Sequence, residues 1–331
     1  MPAGSGYLPS GALYNQLSYI TRRAYLPYAV SQIYNASPTA CGLLSNAEQE
    51  AGGVDSFIVN VQTAQLVQAQ MTSFQGNFNA PTALQGITPA SWSMTMGVVP
   101  IPIFVTELAI QSQQKIQDIL SLRFTDAGNA VRDMIANQIF VWTSSTSATQ
   151  IIGLPGAVDD GTVNATYGGI NRSTTTAWQA KRYAAGTVNP TRALVSQYIN
   201  GVAKAQGEVP TFGVMGFGTW SLLQQDFLPL ERYVPNQEHT EDYLSSFRAL
   251  EVEGVPVYAD AYCPEGICYL INTNYLSFRI HQDANWEFLD FTPLTPSNQL
   301  GYIGVVYLIF ALVLTKPKTC AVITGFNYAS I

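Results

Sequence analysis

The residues Val67-Gln68-Ala69-Gln70-Met71-Thr72-Ser73-Phe74-Gln75-Gly76-Asn77-Phe78-Asn79 lie in a stretch without any charged side chain between Asp55 and Glu107. No lysine or arginine occurs between Arg23 and Lys115. The stretch is rich in amides and hydroxyls, which can hydrogen-bond to a partner without the desolvation cost of a charge. We therefore expect it to lie against another protein chain. The alternative is a disordered polar loop, although disorder usually accompanies a high net charge.

The residues on either side of this stretch predict two strands. Val54 to Val61 alternates, with Phe57, Val59 and Val61 on one face, and Ser91 to Val99 reads as a returning strand. Together they predict a two-stranded ribbon with an irregular tip. Because an excursion of roughly 40 residues is unusual inside a compact domain, we interpret the ribbon as a projecting arm that grips a neighbouring subunit.

A long amphipathic helix follows the ribbon. Apolar residues recur at intervals of three or four, which gives one apolar stripe over about seven turns. The stripe comprises Ile116, Leu120, Phe124, Ala127, Val131, Ile135, Ile139 and Trp142. Such a helix would be about 40 Å long, so it is expected to be a scaffold element.

The rest of the chain predicts a mixed α+β organisation. Residues 1–50 have no hydrophobic period and are interpreted as an N-terminal arm, and Gly153 to Trp178 is rich in turns. A compact unit follows, in which Asn189-Pro190 is expected to cap a helix with the stripe Leu194, Val195, Tyr198, Ile199, Val202 and Ala203. The other predicted elements are strands at 211–215, 249–252, 255–262, 267–271, 276–281, 302–314 and 319–325, and a helix at 219–227.

Composition limits the function. The hydrophobic content of 47% over 331 residues is enough for a substantial core, whereas charged residues make up only 11%, against about 25% in ordinary globular proteins. A surface with so few charges is expected to be covered by neighbouring subunits. The net charge of −7 argues against a basic nucleic-acid groove.

Catalytic and binding motifs are not found in the sequence. Gly213-Val214-Met215-Gly216-Phe217-Gly218 lacks the spacing of a phosphate loop and predicts a tight turn. Asp159-Asp160-Gly161 could hold a carboxylate pair but is ordinary turn chemistry. Glu238-His239-Thr240-Glu241-Asp242 could bind a cation but reads first as a solvated loop. We therefore expect no catalytic, cofactor-binding or metal-binding residues, and no enzymatic activity.

The cysteines and histidines do not form a ligand pattern either. Cys263 and Cys268 flank a predicted hairpin turn and could face each other, but the two histidines, His239 and His281, are distant in sequence. The longest uncharged apolar run, Gly301 to Thr315, is shorter than a membrane-spanning helix and reads as a buried strand. We expect neither a structural zinc site nor a membrane segment.

Several segments, taken in order, resemble a known family. They are Tyr167-Gly168-Gly169-Ile170-Asn171-Arg172-Ser173 followed by Trp178, then Gly254-Val255-Pro256-Val257-Tyr258-Ala259-Asp260, and then Cys263-Pro264-Glu265-Gly266 leading into Tyr269-Leu270-Ile271-Asn272. With the arm, the ribbon and the long helix, the set resembles the major capsid proteins of tailed double-stranded DNA bacteriophages, which have the HK97-like fold. No single segment is diagnostic, but the order extends over nearly the whole chain.

The resemblance implies a domain organisation. Residues 1–50 would be the N-terminal arm, 51–100 the E-loop, 101–189 the P-domain with a spine helix at about 113–142, 190–315 the A-domain, and 316–331 a return strand to the P-domain. It also implies hexamers and pentamers of an icosahedral shell that encloses the phage genome. E-loops would lie over adjacent subunits.

The implied partners follow from the same resemblance. They are other copies of the chain, a portal, possibly a decoration or cement protein, and packaged double-stranded DNA held without sequence-specific binding. Some family members carry a cleaved N-terminal scaffolding domain, and no charged helical leader of that kind is seen here. A separate scaffolding protein is therefore expected, with an already trimmed form as the alternative. The expected location is the virion capsid, assembled in the host cytoplasm.

Two other functions remain open at this stage. An encapsulin-type compartment has the same fold, and its cargo, an enzyme rather than DNA, would distinguish it. A β-rich hydrolase or carbohydrate-binding protein would need a carboxylate pair in an aromatic cleft. Trp286-Glu287 and Asp290 are the only such candidates, and a strand with its flanking turn explains them equally well.

Overall fold

The computed structural model describes residues 37–45, 47–50, 56–63, 71, 73–74, 76, 86–104, 113–141, 150–227, 249–294 and 299–330. Its helices are α1 (Pro38–Ser45), α2 (Gln113–Phe140), α3 (Leu154–Ala157), α4 (Arg192–Gln206) and α5 (Phe217–Phe227). Its strands are β1 (Glu48–Glu50), β2 (Ser56–Gln62), β3 (Ile87–Ser93), β4 (Thr95–Phe104), β5 (Thr166–Tyr167), β6 (Ile170–Asn171), β7 (Lys181–Val188), β8 (Phe212–Met215), β9 (Ala249–Val252), β10 (Val255–Ala259), β11 (Ile267–Ile271), β12 (Leu276–His281), β13 (Glu287–Pro293), β14 (Gly301–Leu314) and β15 (Ala321–Phe326).

A five-stranded sheet is built around β14. This strand pairs with β4 along residues 301–310, and with β13 and then β12 along successive stretches. β1 adds to β12 in parallel. The long apolar run was predicted to be a buried strand. The strand is confirmed, but its burial is complete only over residues 310–314, because alternate residues from Ile303 to Ile309 are half-buried. Its Val and Ile side chains suit a strand in contact with neighbours on both edges.

A six-stranded mixed sheet forms the second unit, in the order β7-β15-β11-β8-β10-β9. Both of its faces are buried at the central strands β8 and β11, whereas the edge strand β7 is mostly exposed. Cys268 and Leu270 of β11 face α4 and α5, whereas Tyr269 and Ile271, which alternate with them, face the larger core that includes Phe140 of α2.

The helix α2 packs against the five-stranded sheet as its stripe predicts. Phe124, Ala127, Val131, Ile135 and Ile139 are all buried, which confirms the stripe over this part of the helix. The side chains of the first turns and Trp142 lie outside the described residues. A Cβ atom on Gly97 of β4 would lie 2.6 Å from the terminal methyl group of Met134, so strand and helix are in close contact here.

Three features differ from the sequence-based expectation for local structure. Thr191 rather than Asn189-Pro190 caps α4, because its side-chain oxygen accepts the Leu194 N–H at 3.3 Å. Within the segment assigned to the arm, residues 38–45 form a buried helix and 48–50 form a strand. The returning strand is divided at Met94 into β3 and β4, which pair with different partners.

Strand pairing also differs from the expected domain boundaries. β12, β13 and β14, expected in the A-domain, share a sheet with β4. β15, expected to return to the P-domain, lies between β7, which was assigned to the P-domain, and β11, which was assigned to the A-domain. The reason is that hydrophobic periodicity reports that a strand is buried but does not specify the strand with which it pairs.

Hydrogen bonds at two positions join α1 and α2 to the six-stranded sheet. The Ser37 hydroxyl and the Thr39 N–H both donate to the buried carboxylate of Asp260, which follows β10. The Tyr262 hydroxyl donates to Asp133 Oδ1 of α2 at 2.6 Å. Both contacts come from the same turn, so α1 and α2 are fixed to one end of the six-stranded sheet.

Candidate functional site

The ribbon predicted from the neutral stretch is present as β2 and β3. The strands are antiparallel, with Phe57 opposite Trp92 at one end and Gln62 opposite Ile87 at the other. The predicted inner face of Phe57, Val59 and Val61 is confirmed, since all three pack against the core. On the opposite face Ile58 and Ile87 are 59% and 52% exposed.

The base of the ribbon is held in an aromatic cluster. The Trp92 ring meets the Tyr167 ring edge-on, with centroids 5.6 Å apart, and lies 6.5 Å from Trp178. Gly168 has φ +59°, and a Cβ atom there would lie 3.1 Å from the Trp92 ring. The Ser91 N–H donates to the Gly168 carbonyl at 3.0 Å. Only glycine allows this approach without strain.

Arg172 lies beneath this cluster and is fully buried. Its guanidinium donates to the Gly156 carbonyl at 2.9 Å and the Ala157 carbonyl at 2.5 Å, and also to the Asn164 and Trp178 carbonyls. The guanidinium carbon lies 4.9 Å from the centre of the Tyr167 ring. Burial lowers the pKa of Arg172. The rigid fork of donors therefore ties three chain segments together, at Gly156–Ala157, Asn164 and Trp178.

Asp159 completes the buried centre. Its Oδ2 accepts N–H groups from Gly161, Val163 and Asn164 at 2.9–3.0 Å. Its Oδ1 accepts a hydrogen bond from Arg182 at 3.1 Å, and Arg172 lies 3.9 Å away. The predicted turn is confirmed, but the ion pairs with the two arginines were not predicted. With this number of donors the carboxylate is a structural group.

The Tyr167 hydroxyl links this centre to the five-stranded sheet. It accepts the Leu314 N–H, at the end of β14, at 2.9 Å, and the Trp178 indole N–H donates to the Tyr167 carbonyl at 2.9 Å. Burial raises the pKa of Tyr167 to about 12, so the phenol stays neutral. The arrangement fixes the ribbon and supplies no reactive group.

A second surface lies on the five-stranded sheet, opposite α2. We call it the outer sheet face. Cross-strand partners share a face, and the register places the following residues on it: Met96, Val98 and Pro100 of β4, Ile303, Val305, Tyr307 and Ile309 of β14, and Leu289 of β13. Met96, Val98 and Leu289 are 58%, 41% and 53% exposed. None of these side chains carries a charge, but the exposed carboxylate of Glu287 on β13 lies beside them, because Glu287 is opposite Tyr307. A surface that is mostly apolar over this area is typical of an interaction site.

The glycine-rich segment before α5 is occupied by a carboxylate of the same chain. Glu265 accepts the N–H groups of Gly218 and Thr219 at 2.9 and 3.0 Å, and the Thr219 hydroxyl at 3.1 Å. A Cβ atom on Gly216 would lie 2.7 Å from the Glu265 carboxyl carbon. This is the helix N-terminus that a phosphate loop would offer to a ligand. The tight turn that the sequence predicts is confirmed, and its glycines admit Glu265.

The other residues considered as ligands are not brought together. All four cysteines are buried free thiols, and burial raises the pKa of Cys263 and Cys268. His281 accepts the Asp283 N–H in a local turn. Among the described residues, no group of three or more potential metal-binding side chains is found, and no helix has the length and apolarity needed to span a membrane.

The carboxylates considered for a hydrolase do not share a site with an aromatic cleft. Glu287 and Asp290 are exposed on β13, whereas Trp286 packs against the core. The acidic cluster Glu238–Asp242 lies outside the described residues.

The sequence did not predict the outer sheet face or the Arg172 centre. The sequence did contain a signal for this apolar face, because neither β4 nor β14 has a charged residue at any position. A signal for the centre was weaker, since Arg172 was part of the quoted segment without an assigned role. Both depend on contacts between residues that are far apart in the chain.

Comparison with known proteins gives similarity at the level of structure. No protein-family model and no curated protein matches the sequence. The capsid asymmetric unit of cyanophage A-1(L) matches with a TM-score of 0.66 and 16% identity, over 88% of this chain and 93% of that chain. The capsid of a native GTA particle matches with a TM-score of 0.55 and 12% identity, over 87% and 90%.

The chain has the HK97-like capsid fold. Both of these structural neighbours are capsids. The SrpI encapsulin complex from Synechococcus elongatus PCC 7942 also matches, with a TM-score of 0.54 and 11% identity, over 87% of this chain and 90% of that chain.

Proposed function

We propose that the chain is the major capsid protein of a tailed double-stranded DNA bacteriophage and assembles into hexamers and pentamers of an icosahedral shell. One observation carries the proposal. Among the described residues, a single subunit leaves apolar side chains exposed on two surfaces: Ile58 and Ile87 on the ribbon, and Met96, Val98 and Leu289 on a mostly apolar sheet face. The HK97-like fold supports the same conclusion.

The proposed assembly contact joins the ribbon of one subunit to the outer sheet face of the next. The exposed ribbon residues Ile58 and Ile87, and Phe74 beyond them, would meet Met96, Val98 and their neighbours. Fully burying one large apolar side chain contributes about 1.5–3 kcal/mol. Several such side chains, with few charges to desolvate, can offset the cost of association.

In this proposal the four domains keep the names expected from the sequence, and their boundaries are changed to agree with the strand pairing. Residues 51–93 are the E-loop, and α2 is the spine helix of a P-domain that also contains β4 and β12–β14. The six-stranded sheet with α4 and α5 is the A-domain, and residues 1–36 are the arm.

The proposed partners are further copies of the chain, a separate scaffolding protein, a portal and, in the mature particle, a cement protein. Packaged DNA would be held without sequence-specific contacts, which suits a net charge of −7. We propose no catalytic activity, no cofactor and no membrane association. The protein would assemble in the host cytoplasm and remain in the virion.

The experiment is assembly of the full chain, with its scaffolding protein, followed by light scattering and negative-stain imaging. Rings or shells are expected. Met96→Lys should reduce particle yield at least tenfold while leaving the urea midpoint of the free subunit unchanged, because Met96 is exposed before assembly. Val209→Lys, at an exposed position outside the outer sheet face, is the matched control. A stable monomer at every concentration, or equal loss in both variants, would contradict the proposal.

An encapsulin-type compartment is the second candidate, because one structural neighbour is an encapsulin complex. The two functions predict similar shells and different contents. Particles isolated from the native source would contain double-stranded DNA in the first case and a docked enzyme in the second.

A further inference from the structure

The chain passes from the ribbon to the body at one unpaired residue, Met94. β3 ends at Ser93 and pairs with β2, whereas β4 begins at Thr95 and pairs with β14. A strand that changes sheets across one residue is an obvious position for a pivot, about which the whole ribbon could swing.

The contacts next to Met94 oppose a pivot there. The ribbon pair closest to it, Phe57 and Trp92, is 1% and 3% exposed, and Ala90 is fully buried. Trp92 lies among Tyr167, Trp178 and the Gly168 backbone. A swing about Met94 would withdraw both aromatic rings from the core. Their burial contributes much more than any contact farther along the ribbon.

The backbone is held at the same place. The Thr63 N–H donates to the Gly86 carbonyl, and hydrogen-bonded pairs alternate along an antiparallel ribbon. The N–H groups of Ala90 and Trp92 therefore point towards β2, whereas that of Ser91 points outwards. This outward group donates to the Gly168 carbonyl at 3.0 Å, so one edge of β3 is bonded to the β5–β6 hairpin.

The β5–β6 hairpin is itself firmly held, so it does not move readily with β3. The Tyr167 hydroxyl is bonded to the end of β14, and Arg172 is fully buried with donors to four carbonyl groups. Beyond the pair Val59–Ala90 the situation changes. Val61 still packs against the core, but it and Thr88 are only half-buried, and Asn60 and Gln62 are exposed.

We infer that the ribbon is a lever with a fixed base, which bends beyond the Val59–Ala90 pair and does not pivot at Met94. The base of the ribbon then keeps a fixed orientation relative to the body of the subunit. Only the part of the ribbon beyond the Val59–Ala90 pair changes its orientation when it contacts another surface. The inference goes beyond the proposed function and does not depend on assembly, since it concerns the free subunit.

Hydrogen exchange of the full-length free chain, read at single amides by mass spectrometry with electron-transfer fragmentation, tests it. The N–H groups of Ala90 and Trp92 should exchange as slowly as that of Leu270 in the buried strand β11. Those of Val61 and Thr88 should exchange at least about tenfold faster. Equal rates for Trp92 and Thr88 would place the pivot at Met94 and overturn the inference.

Two variants identify the cause. Gly168→Ala should accelerate exchange at Trp92 about tenfold, because its Cβ atom would push the indole ring. Gly254→Ala is the matched control, since Gly254 has φ +79° but open space around it. Ser91→Pro removes the outward N–H without removing a ladder bond, and it should accelerate Trp92 and leave Leu270 unchanged. Unchanged Trp92 exchange in both Gly168→Ala and Ser91→Pro would show that the hairpin does not hold the base.

Discussion

At the residue scale, Arg172 stabilises the structure through several buried contacts of one side chain. It is fully buried, and its guanidinium supplies hydrogen bonds to four carbonyl groups and charge to Asp159. A buried charge is tolerated only when its donors are satisfied. Arginine meets this condition here because its donors are fixed in a plane.

Arg172→Met should therefore lower the free energy of unfolding by about 3–5 kcal/mol, because it leaves buried acceptors unpaired and Asp159 with one partner fewer. Urea denaturation of the free subunit measures the loss. Arg132→Met is the control, because its ion pair with Asp133 is partly exposed and should contribute less than about 1 kcal/mol. Similar losses in the two variants would refute the role of Arg172.

Gly153 is a second residue whose identity follows from packing. A Cβ atom there would lie 2.5 Å from the Ile139 carbonyl oxygen and 2.7 Å from that of Gln138, at the end of α2. Gly153→Ala should lower the free energy of unfolding by about 1–3 kcal/mol, since backbone must move. Gly42→Ala meets no atom within 4 Å, and in helix α1 it should stabilise by about 0.5–1 kcal/mol. In thermal unfolding, the midpoint temperature should fall for Gly153→Ala and rise for Gly42→Ala. Equal shifts of the midpoint in the two variants would contradict this prediction.

At the scale of the element, the ribbon and α2 show how far periodicity extends. The buried stripe of α2 from Phe124 to Ile139 and the inner face of β2 were both predicted, because each is a local repeat in the sequence. The division of the returning strand at Met94 was not predicted. Nothing in the residues 87–104 distinguishes pairing with β2 from pairing with β14.

The tip of the ribbon should act in assembly and not in folding. Phe74 is fully exposed in the subunit, and Phe78 lies outside the described residues. Phe74→Lys or Phe78→Lys should block assembly, because an unpaired charge at a closed interface costs several kcal/mol. The urea midpoint of the free subunit should not change for Phe74→Lys, for which Phe74→Leu is the uncharged control. Normal assembly of the lysine variants, or unfolding of the subunit, would show that the tip has another role.

At the scale of the whole molecule, we expect the proposed shell to be held without covalent bonds between subunits. Some relatives of this fold join subunits by an isopeptide bond between an E-loop lysine and an asparagine of another subunit. The ribbon here contains no lysine. The five lysines of the chain are Lys115, Lys181, Lys204, Lys316 and Lys318. Lys316 is paired with Glu208 at 2.6 Å.

Mature particles boiled in denaturant should therefore release one chain near 36.0 kDa. Gel electrophoresis under reducing conditions is the measurement, because disulfide-linked multimers would be removed. A ladder of multimers that survives reduction would mean that a lysine outside the ribbon reaches another subunit. If no such ladder appears, the stability of the particle comes from buried apolar area, strand pairing and amide hydrogen bonds between subunits, or from a cement protein.

The sequence by itself determined the composition of this molecule and its local elements. The absence of charge over residues 56–106, the stripe of α2 and the strand-forming run of β14 are properties of consecutive residues. The described part of the stripe and the strand β14 appear in the structure where they were expected. The fold class followed from the order of these elements. Short-range patterns are sufficient here because backbone geometry repeats every 2 or 3.6 residues.

Only the tertiary structure decided which strands share a sheet, where Arg172 and Asp159 meet, and that Glu265 fills the N-terminus of α5. It also showed that Met96, Val98 and Leu289, on one face of the β4–β14 sheet, are exposed among the described residues. These are relations between residues that lie tens or hundreds of positions apart. They depend on register and packing, and a change of one residue in register would turn every side chain of a strand to its opposite face.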